Sequence, residues 1–145
     1  MNHFHFVAAC AIAFAASGAA CTADIHDNTF NTDAKVDVKS TVNLDDVAVG
    51  QSVPFEVTVT NVHLIEPTET PPANKAAEAG HLRYYMDDMS TTAILISAKV
   101  KVDIKIPEGT SPGDHKIHCR VHKHDGTATT TTFVIKIKVK ATVKT

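Results

Sequence analysis

The stretch "FVIKIKVKATV", residues 133 to 143, alternates apolar and polar side chains with a period of two. Phe133, Ile135, Ile137 and Val139 fall on one side of the chain, and Lys136, Lys138 and Lys140 fall on the other. Successive side chains of a β-strand point to opposite faces, whereas a helix repeats about every 3.6 residues. The stretch therefore predicts a strand with one buried face.

The same alternation recurs along the chain, between short turn-forming stretches rich in Gly, Pro, Asp and Ser. It predicts further strands at residues 35–44, 53–65, 81–86, 93–97, 99–106 and 115–123. One apolar and one polar face per strand favours antiparallel sheets over a parallel sheet that is buried on both sides. The sequence therefore predicts an all-β protein, an antiparallel immunoglobulin-like β-sandwich of about seven strands, at residues 35–145.

The N-terminal residues have the layout of a secretory signal peptide, predicted at residues 1–20. Residues 4–16, "FHFVAACAIAFAA", form an apolar run that is too short to span a membrane, and the small residues "SGAAC" follow it. The polar, pattern-free residues 21–34 are predicted to be a tether between this segment and the domain.

Residues 18 to 21, "GAAC", resemble a bacterial lipobox, which implies that Cys21 becomes the acylated first residue. Because Thr and not Asp follows it, the resemblance implies an outer-membrane lipoprotein that faces the periplasm or the exterior. Cleavage without lipidation, after Ala20 or Ala23, is the alternative. With Cys10 lost and Cys21 acylated, Cys119 remains alone and no disulfide is expected.

Charge is distributed unevenly along the chain: 12 acidic and 4 basic residues lie in residues 1–98, and 4 acidic and 10 basic residues lie in 99–145. Lysines on the predicted strands 99–106 and 133–143 share polar faces. Such faces either contact anionic lipid or are simply solvated and discourage edge-to-edge pairing. We expect a membrane partner through the lipid anchor and no nucleic-acid partner; a protein or envelope partner is not specified.

The stretch "HKIHCRVHKHD", residues 115 to 125, is rich in histidine. Parity places His118, His122 and His124 on the outer, solvent-facing side, and it places Ile117, Cys119 and Val121 on the inner side. Cys119 is therefore predicted to be buried and inert. His122 and His124 lie roughly 6.6 Å apart along a strand, which is close enough to share one metal ion, but a third ligand must come from elsewhere.

The stretches "GHLRYYMDD" (80–88) and "SPGDHKIHCRVHKHD" (111–125) resemble motifs of a family of small exported bacterial β-sandwich domains of uncharacterised function. The family shows Gly-His-Leu-His-x-Tyr-x-Asp, then Pro-Gly-x-His, then His-x-x-Asp-His. The positions that match are Gly80, His81, Leu82, Tyr85, Asp87, Pro112, Gly113, His115, His122 and Asp125. Arg83 and Gly126 stand where the family has histidine. The resemblance supports the sandwich, and these two departures weaken the case for a metal.

The function that these patterns favour is a non-enzymatic binding or interaction module without a cofactor. No nucleophile elbow, zincin helix or phosphate loop occurs in the sequence. The alternative is a periplasmic copper or zinc protein. In an antiparallel sheet the start of the strand at His81 can lie beside the end of the strand at His124, which gives a predicted site of His81, His122, His124 and Asp125.

Overall fold

A computed structural model describes residues 34–141 of the chain. The predicted signal peptide and lipidation site, and the predicted tether except for its last residue, lie outside the described residues. Within the described range the chain forms eight strands: β1 (Lys35–Ser40), β2 (Ser52–Thr60), β3 (His63–Leu64), β4 (Ala79–Met86), β5 (Leu95–Ser97), β6 (Lys101–Lys105), β7 (Gly113–Lys123) and β8 (Ala128–Val139). One short 3-10 turn, Ala76–Glu78, precedes β4, and no helix in residues 34–141 has the length and apolarity to cross a membrane.

The strands form two sheets, which confirms the predicted all-β sandwich. One sheet has the order β1-β2-β6; in the other, β3 and β5 both pair with β4, and β7 and β8 follow. Each neighbouring pair is antiparallel except the two-residue β3, which runs parallel to β4. The predicted strand 53–65 is divided because Asn61 adopts a left-handed conformation with φ 63°, which ends β2 and starts β3.

The core lies between the two sheets, on the apolar face that the alternation predicted. Phe55 and Ile104 from the three-stranded sheet are buried, as are Leu82 and Tyr84 from β4. The inner face of β7 is fully buried at Ile117, Cys119 and Val121, so the predicted burial of the Cys119 thiol is confirmed. Burial raises the pKa of this thiol to about 12, which disfavours the reactive thiolate.

The register between β4 and β7 arranges the polar residues on the outer face of the five-stranded sheet. Tyr84 and Cys119 are partners on the inner face, so their neighbours along each strand point outward. His81 is opposite His122, and Tyr85 is opposite His118. The register between β7 and β8 shifts between Arg120 and His122, so the end of β7 near His122 departs from regular pairing.

Candidate recognition site

The predicted approach of His81 and His122 is confirmed. The two residues are cross-strand partners on β4 and β7, and their rings stack with centroids 5.9 Å apart and planes 18° apart. Both side chains have outward parity, yet the relative exposure of His81 is 0% and that of His122 is 5%. The prediction that His122 faces solvent is therefore wrong.

The burial of His122 follows from the partners on either side of its ring. The Nδ1 atom lies 2.9 Å from the carbonyl oxygen of Gly126 in the β7–β8 turn, and Nε2 lies 3.1 Å from the hydroxyl of Tyr85. A carbonyl only accepts, so Nδ1 carries the proton and the Tyr85 hydroxyl donates to Nε2. Burial lowers the pKa of His122, and Arg83 and Arg120 nearby act in the same direction.

The ring of His81 is held by a neighbour on its own strand. Arg83 donates from Nε to Nε2 of His81 over 3.2 Å, so the neutral imidazole carries its proton on Nδ1. This Nδ1 atom is buried and has no hydrogen-bond partner. Burial, reinforced by the charge of Arg83, lowers the pKa of His81 to about 4, and the ring is neutral at pH 7.

The other two predicted metal ligands lie in and beside the β7–β8 turn. Nδ1 of His124 is buried and has no hydrogen-bond partner. Asp125 accepts the backbone N–H of Thr127 at 2.7 Å, and this bond lowers the pKa of its carboxyl. Residues 34–141 contain no group of three or more His, Cys, Asp or Glu side chains placed to hold a metal ion. The structure thus pairs His81 with His122, whereas Asp125 stabilises its own turn.

Sequence reasoning did not identify a second histidine cluster at the opposite end of β4 and β7. The carboxylate of Asp87 lies 2.7 Å from Nδ1 of His115 and accepts the backbone N–H of Lys116 at 2.9 Å. The carbonyl of Asp87 lies 3.0 Å from Nε2 of His118. Asp87 itself has φ 58°, an unfavourable conformation that these bonds maintain.

The Asp87–His115 pair lies near Ser111, in an order that resembles a catalytic triad. However, Nε2 of His115 lies 2.8 Å from the carbonyl oxygen of Ser111 and 3.5 Å from its hydroxyl. Both ring nitrogens face acceptors, an arrangement that favours the doubly protonated ring, which has no lone pair for base catalysis. The hydrogen bond to Asp87 accordingly raises the pKa of His115.

The carboxyl group of Asp87 remains ionised although partial burial opposes it. The backbone N–H of Lys116 and the ring of His115 together lower its pKa. The pair borders a polar cavity of about 550 Å³, whose lining residues are Asp45, Asp87, Asp114, His115, Lys116, Lys136, Ile137 and Lys138. Acidic and basic side chains are mixed there, and the cavity has no consistent charge.

No family model matches the chain. No curated protein sequence matches it significantly either. Among solved structures, it is similar to a fibronectin(III)-like module of CbhA from Clostridium thermocellum, with 17% identity, a TM-score of 0.42, and coverage of 72% of this chain and 96% of that chain. An extracellular domain from B. thetaiotaomicron has 9% identity and a TM-score of 0.41, over 78% of this chain and 16% of that one.

A third similar structure is the β-glucosidase of Listeria innocua in complex with glucose, with 14% identity and a TM-score of 0.38. The overlap covers 77% of this chain but 17% of the β-glucosidase. These similarities are weak, and no conclusion about ligand or activity follows from them.

Proposed function

We propose that this chain is an exported, non-enzymatic binding module, held at the outer membrane through a lipid on Cys21. The apolar run at residues 4–16 and the small residues before Cys21 support export and anchoring. The ligand-binding surface is the outer face of the five-stranded sheet, at the end of β4 and β7 where His81 and His122 pair.

The observation that supports binding is the burial of polar side chains on the outer face of a sheet, which is usually solvated. Burying an imidazole costs free energy unless its nitrogens are bonded, and Nδ1 of His81 has no partner. An unsatisfied buried donor costs about 1–3 kcal/mol. Natural proteins keep such costly arrangements chiefly at functional sites.

A binding role also fits the protonation states of the histidines better than catalysis does. His122 uses both ring nitrogens in hydrogen bonds, and His81 gives its lone pair to Arg83. Both ring nitrogens of His115 face acceptors, which favours its protonated form. None of the three has a free lone pair that could take a proton from a substrate.

Anchoring is tested by intact-mass analysis of protein taken from the membrane fraction. We expect the loss of residues 1–20 and an added acyl mass on Cys21. Soluble protein that begins at Cys21 or Asp24 and carries no lipid would contradict anchoring.

Binding is tested by backbone amide NMR on the full-length protein, to which the lipid, glycan and protein fractions of a solubilised cell envelope are added separately. We expect one fraction to shift the amides of β4 and β7 near His81 and His122, and to leave β1, β2 and β6 unchanged. Shifts confined to the three-stranded sheet, or no shift with any fraction, would overturn the proposal.

Copper or zinc binding is the second candidate, because two buried imidazole nitrogens, Nδ1 of His81 and Nδ1 of His124, have no partner. A metal needs a lone pair, however, and Nδ1 of His81 carries a proton as long as Arg83 bonds Nε2. The nearby guanidinium also repels a cation. These residues therefore fit an ion only if Arg83 releases His81, and we expect weak binding.

Calorimetry with Cu(II) and Zn(II) on the protein without an affinity tag tests this candidate. A site at His81 and His124 would be supported if His81→Ala abolished metal binding and His118→Ala did not. His118 is the matched control because it lies on β7 outside the His81–His122 pair. Equal loss in both variants, or no binding above that of exposed histidines, would exclude the site.

A further inference from the structure

The sequence contains two arginines, Arg83 and Arg120, and the fold places them side by side. They are cross-strand partners on β4 and β7, next to the His81–His122 pair, and both are partly exposed on the outer face. Like charges directly opposite each other in a sheet destabilise it unless something of opposite charge lies between them. The register thus places two positive charges directly opposite each other on this face.

Neither arginine is neutralised by the part of the chain that the structure describes. No carboxylate among residues 34–141 forms an ion pair with either guanidinium. Each Nε is used on a neutral acceptor: Arg83 donates to Nε2 of His81 at 3.2 Å, and Arg120 donates to the carbonyl of Thr129 at 2.6 Å. These bonds fix the two planar groups, and their Nη donors make no hydrogen bond to another described residue.

The surroundings of the two arginines favour a ligand that has both an anionic and an apolar part. Ile96 is the partner of Arg83 on β5 and is 43% exposed. Val134 on β8, opposite His118, is also 43% exposed. The arginines thus lie between two exposed aliphatic side chains on the same face.

A second pair of basic side chains lies on the same face, nearer the other end of β7. Lys116 and Lys136 form a second like-charged cross-strand pair, four residues along β7 from Arg120. Among the cross-strand partners of β7 and β8, Asp114 and Lys138 are the only acid and base that lie opposite each other. The lysine pair adds positive charge to the face that holds the arginines, although Asp87 and Asp114 lie among the lysines at that end.

We infer that Arg83 and Arg120 together bind one oxyanion, a phosphate or carboxylate group, on the outer face of the five-stranded sheet. Two fixed guanidinium groups can each offer parallel N–H donors to such a group, which is a geometry that lysine cannot reproduce. The anion comes either from a free small molecule or from a lipid headgroup. This inference rests on the proposed function, because it names the ligand class of the same surface.

The test uses full-length protein labelled with ¹⁵N-arginine, in which the two arginines give separate Nε–H signals. Inorganic phosphate is added at constant ionic strength against a sodium chloride control. A second titration uses dihexanoyl-phosphatidylglycerol, a soluble lipid that carries one phosphate. We expect both signals to shift together and to saturate at one concentration. Saturation with phosphate alone would identify a free oxyanion as the source, and tighter binding of the lipid would identify a headgroup.

Arg83→Lys and Arg120→Lys keep the charge but lose the planar fork, and each should weaken phosphate binding about tenfold. Lys105→Ala on the three-stranded sheet is the control and should leave phosphate binding unchanged. The inference would be overturned if the two wild-type signals shifted independently, did not saturate, and shifted no more than they do in sodium chloride. This outcome can be read from the wild-type protein alone. If envelope fractions still shift the β4 and β7 amides in that case, the proposed binding function stands; if none does, both proposals fail.

Discussion

The two ends of the β4–β7 strand pair each hold a histidine cluster, and the histidine pKa values at the two ends shift in opposite directions. At one end His81 and His122 are buried beside a tyrosine hydroxyl, a backbone carbonyl and an arginine, and their pKa values are lowered. At the other end His115 lies between the carboxylate of Asp87 and a carbonyl, and its pKa is raised. Position on the strand decides which face a histidine occupies, and its hydrogen-bond partners decide its charge.

The opposite shifts give the two ends opposite pH dependence. A histidine whose folded pKa is lowered binds fewer protons in the folded state, so its contribution to stability is lost as pH falls below about 6.5. A histidine whose folded pKa is raised stabilises the fold below about 6.5 and loses this effect as pH rises through its folded pKa. The buried end therefore weakens in acid, and the open end weakens as the pH rises through the folded pKa of His115.

The largest expected effect is acid destabilisation through His81. A shift of its pKa from 6.5 to about 4 corresponds to about 3 kcal/mol of unfolding free energy, lost between those two pH values. Urea denaturation of wild type and His81→Gln at pH 7 and pH 4 measures it, and the variant should lose about 3 kcal/mol less than wild type over that range. His63→Gln, on the edge strand β3, is the control. If His81→Gln lost as much unfolding free energy between pH 7 and pH 4 as wild type does, His81 would not be the group responsible.

A smaller effect is expected at the same end from Tyr85→Phe. The change removes the hydroxyl that donates to Nε2 of His122 and leaves a buried acceptor unpaired, which costs about 1–2 kcal/mol. Urea denaturation at pH 7 measures this loss. Because the Tyr85 oxygen can also accept from a protonated Nε2, the variant should remain less stable than wild type as pH falls. A deficit that disappeared in acid would contradict the bond between Tyr85 and His122.

The smallest effect is expected at the open end, from Asp87→Asn. The side chain of Asp87 is half exposed, so its ion pair with His115 contributes less than about 1 kcal/mol. Asn retains the acceptor for the backbone N–H of Lys116 and removes the charge. The variant should be less stable than wild type at pH 6 and nearly equal to it at pH 9, as thermal unfolding at the two pH values would record. A deficit that is larger at pH 9 would reverse the assigned protonation of His115.

The fold was predictable from the sequence because apolar and polar residues alternate along nearly every strand. The break between β2 and β3 at Asn61 was not predictable, since it depends on one residue in a left-handed conformation. The meeting of His81 with His122 followed from antiparallel strand ends alone, and this prediction is confirmed. The burial of His122 could not be predicted, because its ring is covered by a hydroxyl 37 residues away and a turn carbonyl.

The approach of Asp87 to His115 could also have been predicted from the antiparallel register of β4 and β7. Once His81 is set opposite His122, counting six residues along each strand places Asp87 opposite Lys116, beside His115. Both residues also lie in the two motifs that resemble the exported family. The metal site of His81, His122, His124 and Asp125 stays a prediction, and the Arg83 bond to His81 is the main physical argument against it.

The most direct test of the contrast between the two ends is an NMR titration of the individual histidine rings in the full-length protein. We predict that His115 titrates above 6.5, and that His122 titrates below it. His81 should remain neutral until the pH approaches about 4. A His81 ring that protonates at or above 6.5, or a His115 ring that is neutral at pH 6, would contradict the account.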